Sequence, residues 1–407
     1  MTEPIKAPII EPNIEPYNEF SIEPNTETSP ESETEKSYVV EAGTKVNMCP
    51  SCGGKMGYDP ESGVLKCQYC GTVKEVVKEQ LEVVENPFAD AMKEGARSWS
   101  EDDIKAVVCK NCGAELIFEM HSKAQFCNYC GSSHVSEHAP EKTIPPGYLV
   151  PFAISEKSAG QRFKDWIKKR WFAPNDLKSS YKNDKLLGTY IPYWTYDTQT
   201  FNQYTAERGD YYYVTKTRTV NGKTETYQER HTRWTYVSGD YQRFFDDVLV
   251  GASSKVDQTI LGKVDDFNLQ GLVTYKPDFL SGFYAERYSI PLEDGWAAGQ
   301  EIIQNTLSAE ITNVVGGDTI RMLEIDTKYD DLKYKHVLLP LWISSYLYKG
   351  KTYRFMINGQ TGSVQGVYPK SPIKIALAVV AGAILIGIAY IFIAGQNQSA
   401  VLLNLLS

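Results

Sequence analysis

Eight cysteines fall between positions 49 and 130, in two blocks of identical spacing. The first is Cys49-x2-Cys52, fourteen residues, Cys67-x2-Cys70; the second is Cys109-x2-Cys112, fourteen residues, Cys127-x2-Cys130. Nothing else in the chain restricts the fold as much, because each Cys-x2-Cys turns the backbone until two thiolates face one point. Glycine follows every pair (Gly53, Gly71, Gly113, Gly131) and permits the conformation in which amide N–H groups point at sulfur. Between pairs there is room for a short hairpin that brings the chain back to the metal. The spacing predicts two closed, tetrahedral four-cysteine zinc ribbons, at 46–73 and 106–140, with two Zn2+ per chain. Four thiolates leave no open position, so both sites read as structural, not catalytic. His121, His134 and His138 lie nearby, but the cysteine count is already complete and they read as loop histidines.

Disulfides and an iron–sulfur cluster are the competing uses of these cysteines. The start of the chain lacks the basic and apolar regions of a secretory signal, so reduced thiols, and hence metal, are favoured. Residues 1–45 read as a disordered acidic leader: Ile-Glu-Pro occurs three times, and residues 1–48 hold ten Glu against three Lys. A set of short docking motifs is the alternative reading of that repeat. The formal charge of the whole chain is −9. Residues 46–148 carry 10 Lys+Arg against 15 Asp+Glu, which disfavours phosphate contacts and makes nucleic acid an unlikely partner. An acidic double ribbon reads instead as a protein-docking or spacer module, with a linker and helix over 74–105.

Residues 147–368 read as an aromatic-rich α+β domain, a helix laid on an antiparallel sheet; the chain has 27 Tyr. Ser155 is placed to cap a helix running to about Trp171. Strand-like runs follow at 188–199, 201–214, 215–220 and 224–237, with Asn221-Gly222 as a hairpin signal. Val150-Pro151-Phe152, a helix and Ile191-Pro192-Tyr193-Trp194 are echoed by Ile290-Pro291-Leu292, a helix and Leu339-Pro340-Leu341-Trp342. The echo reads as two related units, 147–250 and 270–368, or as chance similarity. A last strand is expected over 346–357, then the turn Asn358–Gly362 and a strand to Tyr368.

Residues 162–185 hold eight Lys+Arg against three Asp. Three readings stay open: a solvated face over a buried Trp stripe, contact with anionic lipid headgroups, or nucleic acid. The membrane-surface candidates are Lys164, Trp166, Lys168, Lys169, Arg170 and Trp171. Ile375 to Ala394 is twenty residues without a charge, enough for a single transmembrane helix at about 1.5 Å per residue. Lys370 and Lys374 precede it, and residues 395–407 form an uncharged tail. The positive-inside rule then predicts a single-pass protein of the cytoplasmic membrane with its N-terminal bulk in the cytoplasm.

The two ribbons, Val150-Pro151-Phe152, Phe163 to Leu177, Tyr190 to Trp194, Tyr348 to Phe355 and Asn358 to Gly362 together resemble a bacterial family. Its members are transcription-factor-IIB-type zinc-ribbon-containing membrane proteins, sometimes labelled primosomal or helicase-like. The resemblance covers roughly 49–395. It implies partners of the SPFH (stomatin/flotillin-like) or phage-shock stress type. The helicase label has no support, since no Walker loop is present.

Esterase, zincin and dinucleotide motifs are also missing. Asp246-Asp247 and Asp265-Asp266 are candidates for a metal or acid–base site, with loop carboxylates as the commoner use. Nothing names a small-molecule substrate. The sequence therefore favours a non-enzymatic, tail-anchored scaffold that presents ribbons and an α+β domain to cytosolic or membrane proteins. A nucleic-acid-binding regulator and an enzyme within 190–368 are the alternatives.

Overall fold

The computed structural model describes residues 47–77, 83–94, 104–110, 115–119, 135–138, 144–180, 186–220 and 223–405. The acidic leader, most of the second cysteine block and residues 221–222 lie outside them. All the described residues belong to one unit, Thr44–Ser407. It opens with three short antiparallel strands, β1 (Met56–Asp59), β2 (Val64–Cys67) and β3 (Val73–Glu75). The helix expected within 74–105 is present over Phe88–Glu94. Strands Ile104–Cys109, Glu115–Glu119 and Val135–His138 then pair with one another. Through Tyr284–Glu286 they join the main sheet.

Helix α1 (Glu156–Lys169) begins as the sequence requires: the Ser155 hydroxyl accepts the Ser158 N–H at 3.3 Å, and Phe163 and Ile167 are buried. Three very long strands dominate the sheet. β4 (Leu187–Val220, 34 residues) pairs antiparallel along one edge with β5 (Lys223–Gly251, 29 residues), and Val220 lies opposite Lys223 at the hairpin end. The runs expected at 188–199, 201–214 and 215–220 are thus one continuous strand, and the run at 224–237 lies within β5. α2 (Leu292–Val315) crosses the sheet and leads into β6 (Thr319–Tyr348), which pairs with the other edge of β4. β7 (Lys351–Asn358) and β8 (Val364–Gly366) extend the sheet at its base. The single strand expected over 346–357 is broken by a turn at Lys349-Gly350, both with positive φ.

α2 presents one narrow stripe, Leu292, Gly295, Gly299, Ile303, Leu307, Ile311 and Val315, all buried. A side chain at Gly295 would stand 2.5 Å from the Tyr196 hydroxyl and 2.6 Å from the Trp194 ring, so only glycine lets the helix sit this low. The two echoed segments lie beside each other in one sheet, with Ile191 opposite Leu339 and Tyr190 opposite Pro340. The Trp194 indole donates to the Ile290 carbonyl, and the Trp342 indole donates to the Ile154 carbonyl, each at 2.9 Å. Ile290 precedes the N-cap of α2, and Ile154 precedes the N-cap of α1. Each tryptophan therefore grips the helix start of the other echo, and ranges 147–250 and 270–368 share one sheet.

The chain ends in α3 (Pro372–Leu405). Over Pro372–Tyr390 it is long and apolar enough to cross a membrane, and none of that stretch is buried against the protein.

Candidate metal centre

The first cysteine block forms two matching corners. Cys49 N–H donates to the Gly54 carbonyl and Gly53 N–H donates back to Cys49; Cys67 N–H donates to Thr72 and Gly71 N–H donates back to Cys67. Gly53 and Gly71 have φ of 69° and 76°, left-handed conformations that the turn requires. β1 and β2 carry the chain from one corner to the other, as the fourteen-residue spacing anticipates. The four sulfurs of Cys49, Cys52, Cys67 and Cys70 all lie within 4.8 Å of one another. Cys49 and Cys70 sulfurs are 3.3 Å apart, and those of Cys52 and Cys67 3.5 Å. A tetrahedron with Zn–S bonds of about 2.3 Å has sulfur–sulfur edges of about 3.8 Å, so the cluster fits a metal of that size.

Two of the thiols, Cys49 and Cys70, are also prepared for deprotonation. Burial pushes Cys49 up, but N–H groups of Ser51 and Cys52, with Cys70 and Thr72, outweigh it and lower its pKa to about 6. The Thr72 hydroxyl lowers Cys70. Cys52 is lowered by the Gly54 N–H, but contacts with Cys70 and Cys67 overcome this and raise it to about 12. Protons held by so close a set of sulfurs are those a cation would displace.

This ribbon is fused to the rest of the protein. Cys49, Met56, Tyr58, Leu65 and Cys67 share an apolar cluster with Phe152, Tyr190 and Phe279. Tyr58 N–H donates to Ser281 at 2.8 Å, and its ring meets Phe279 edge-on at 5.4 Å. In the second block Cys109 ends a strand, while Cys112, Cys127 and Cys130 lie outside the described residues, as do His121 and His134. His138 ends the Val135–His138 strand.

Comparison with known proteins finds no family model and no solved structure that matches. The chain is similar to the uncharacterized protein YdjG of Bacillus subtilis (strain 168), 29% identical over 342 residues. The alignment covers 81% of this chain and 91% of that protein.

Two other polar sites come from residues far apart in sequence. Lys335, 2% exposed, lies 3.2 Å from Asp197, 2.7 Å from Asp247 and 3.5 Å from Glu85. Burial opposes its charge, but these carboxylates outweigh burial and raise its pKa. Burial and Asp197 raise Glu85, and burial with Asp247 raises Asp246. Asp246 and Asp247 are thus not in a loop: they form a bulge in β5, and the Asp247 N–H donates to Asp197 at 2.6 Å. Asp266 instead holds the Asn358 turn, accepting from the Asn358 amide and the Thr361 hydroxyl at 3.2 Å each. The second site is a cavity of about 390 Å³ beside Pro145, Tyr334 and His336. His336 lies 2.8 Å through Nδ1 from the Ile144 carbonyl, and burial drives its pKa down to about 4 despite that carbonyl.

Of the membrane-surface candidates, Lys164, Lys168, Lys169 and Trp171 are exposed. Trp166 is half-buried between Phe163 and Tyr368, with the Arg170 guanidinium 4.6 Å over its ring. Both side chains are half-buried and take part in this packing.

Proposed function

We propose that the protein is a non-enzymatic membrane scaffold, held by α3 and stiffened by zinc in its ribbons. The observation that carries this reading is α3 itself: over Pro372–Tyr390 it is long and apolar enough to span a bilayer, and none of its residues is buried against the folded body. A core helix of that composition would be packed. The four-thiolate cluster supports a structural metal, because it has no position left for a substrate. The cysteine spacing extends that reading to a second zinc at Cys109, Cys112, Cys127 and Cys130. Lys370 and Lys374 support an orientation with residues 1–374 in the cytoplasm. The partner class, SPFH or stress-response proteins, is the one the family resemblance implies.

Removal of residues 372–407 tests the anchor. The full chain should stay with membranes through carbonate extraction, and the shortened chain should not. A shortened chain that resists carbonate overturns the assignment of α3 as the anchor. Co-purification from mild detergent tests the scaffold, and repeated recovery of the protein alone counts against it.

A further inference from the structure

The start of α3 is strapped to the folded body. The Lys374 ammonium donates to the Trp171 carbonyl at 3.1 Å, the Ala173 carbonyl at 2.8 Å and the Asn175 side chain at 2.7 Å. Ser371 N–H donates to the Phe172 carbonyl at 2.8 Å. Lys374 is therefore spent internally, and the loop after α1 is fixed at the level where the apolar stretch of α3 begins. Trp171, on that loop, is 56% exposed.

A second segment is tied to the short helix Asn175–Ser180 that follows this loop. The Tyr348 hydroxyl bonds both carboxylate oxygens of Asp176, at 2.9 and 2.8 Å. This sets the turn between β6 and β7 beside the start of α3. The turn places Lys349 and Lys351 on either side of Gly350, and both lysines are exposed. The Lys349 side chain is 74% exposed, and an Asp176 carboxylate oxygen lies 3.9 Å away. Asp176 is already engaged by the Tyr348 hydroxyl.

We propose that this junction, with Trp171 as interfacial anchor and Lys349 and Lys351 as charges, binds the headgroups of anionic phospholipids. The proposal rests on the reading of α3 as the membrane anchor. Tryptophan is favoured at the boundary between headgroups and acyl chains, and lysines beside it meet the lipid phosphates. The site differs from the one read along the sequence of α1, because its lysines come from a turn about 180 residues further on. Each lysine near an anionic surface is worth about a fivefold change in partitioning, so the pair gives about twenty-five-fold.

The test uses the full chain in nanodiscs of phosphatidylcholine, alone or mixed with phosphatidylglycerol, and mass spectrometry of lysine acylation. Lys349 and Lys351 should be protected in the mixed discs and labelled in the neutral ones, while Lys164 should label equally in both. In detergent, the Lys349→Gln/Lys351→Gln variant should lose affinity for added phosphatidylglycerol by about twenty-five-fold, and the double arginine variant should keep it. Equal labelling in both discs overturns the headgroup site and leaves the anchor standing. A chain that fails to enter either disc overturns both. Protection by inorganic phosphate in detergent equal to that by lipid reduces the site to a plain anion site and overturns the lipid assignment.

Discussion

The same three long strands meet two different environments. At the base, β4 is covered on both faces: Thr189, Tyr190, Ile191, Tyr193, Trp194, Thr195 and Tyr196 are all buried. Toward the hairpin end, residues 212–219 are all exposed. β6 stops pairing where Thr319 meets Gly209, so beyond that point only β4 and β5 continue. Pairs across the ladder hold this outer part. Tyr212 stacks on His231 directly opposite, Arg218 meets Glu225 opposite at 3.3 Å, and the Arg230 guanidinium lies 4.3 Å over Tyr211. A ladder of backbone hydrogen bonds, interrupted only by bulges, can thus pass from a region fixed by packing to one fixed by neighbouring side chains.

The largest contrast should come from removing a ring at each end. Trp194→Ala opens a cavity under α2 and loses the bond to Ile290, for about 3–5 kcal/mol in urea unfolding. Tyr213→Ala, at a ring 60% exposed, should stay within about 0.5 kcal/mol. Equal losses would mean that the outer ribbon carries packing of its own.

Charge should separate the ends nearly as well. Lys335→Met strands Asp197, itself 1% exposed, and should cost about 3–5 kcal/mol. Much of that loss should return in the double variant with Asp197→Leu. The outer pair Lys216 and Glu229, 2.6 Å apart but bathed in solvent, should give no resolvable change in midpoint when Lys216 becomes Met.

Acid gives a third, smaller handle. His336 titrates at about 4 in the folded protein against 6.5 unfolded, so the unfolded chain binds the extra proton between those values. Stability should therefore fall as pH drops from about 6.5 to about 4, by at most roughly 3 kcal/mol, with nothing further lost to this group below that. His336→Gln should abolish this step in a pH series of unfolding curves.

The smallest effect is in local opening. Amides of 212–219 should exchange hydrogen at lower opening free energy than those of 189–196, and matching protection would erase the distinction.

What the sequence made legible was local. The cysteine corners, the Ser155 cap, the pairing that flanks Asn221-Gly222 and the Asn358 turn all depend on residues within a few positions of each other. Strand continuity through Thr200 was not legible, because there β6 and α2 are laid along β4 and periodicity breaks where both faces are covered, whereas past Val214 it comes from pairing with β5 alone. The site around Lys335 was also hidden: Asp197 is 138 residues away, and no spacing rule joins them. Asp246-Asp247 did carry a readable signal, since adjacent carboxylates inside a strand-like run suit a bulge. The Lys349-Gly350 turn carried one too, in a glycine between two lysines.

β4 also works as a lever. Its 34 residues, at about 3.3 Å each, give an arm of at most about 110 Å, several times the thickness of a bilayer's hydrocarbon layer. The strap at Lys374 sits near the opposite end, beside Tyr348. For a chain anchored as proposed, a tilt of about ten degrees at that strap would sweep the hairpin end through about 20 Å. Small changes at the bilayer surface would be magnified far from the membrane.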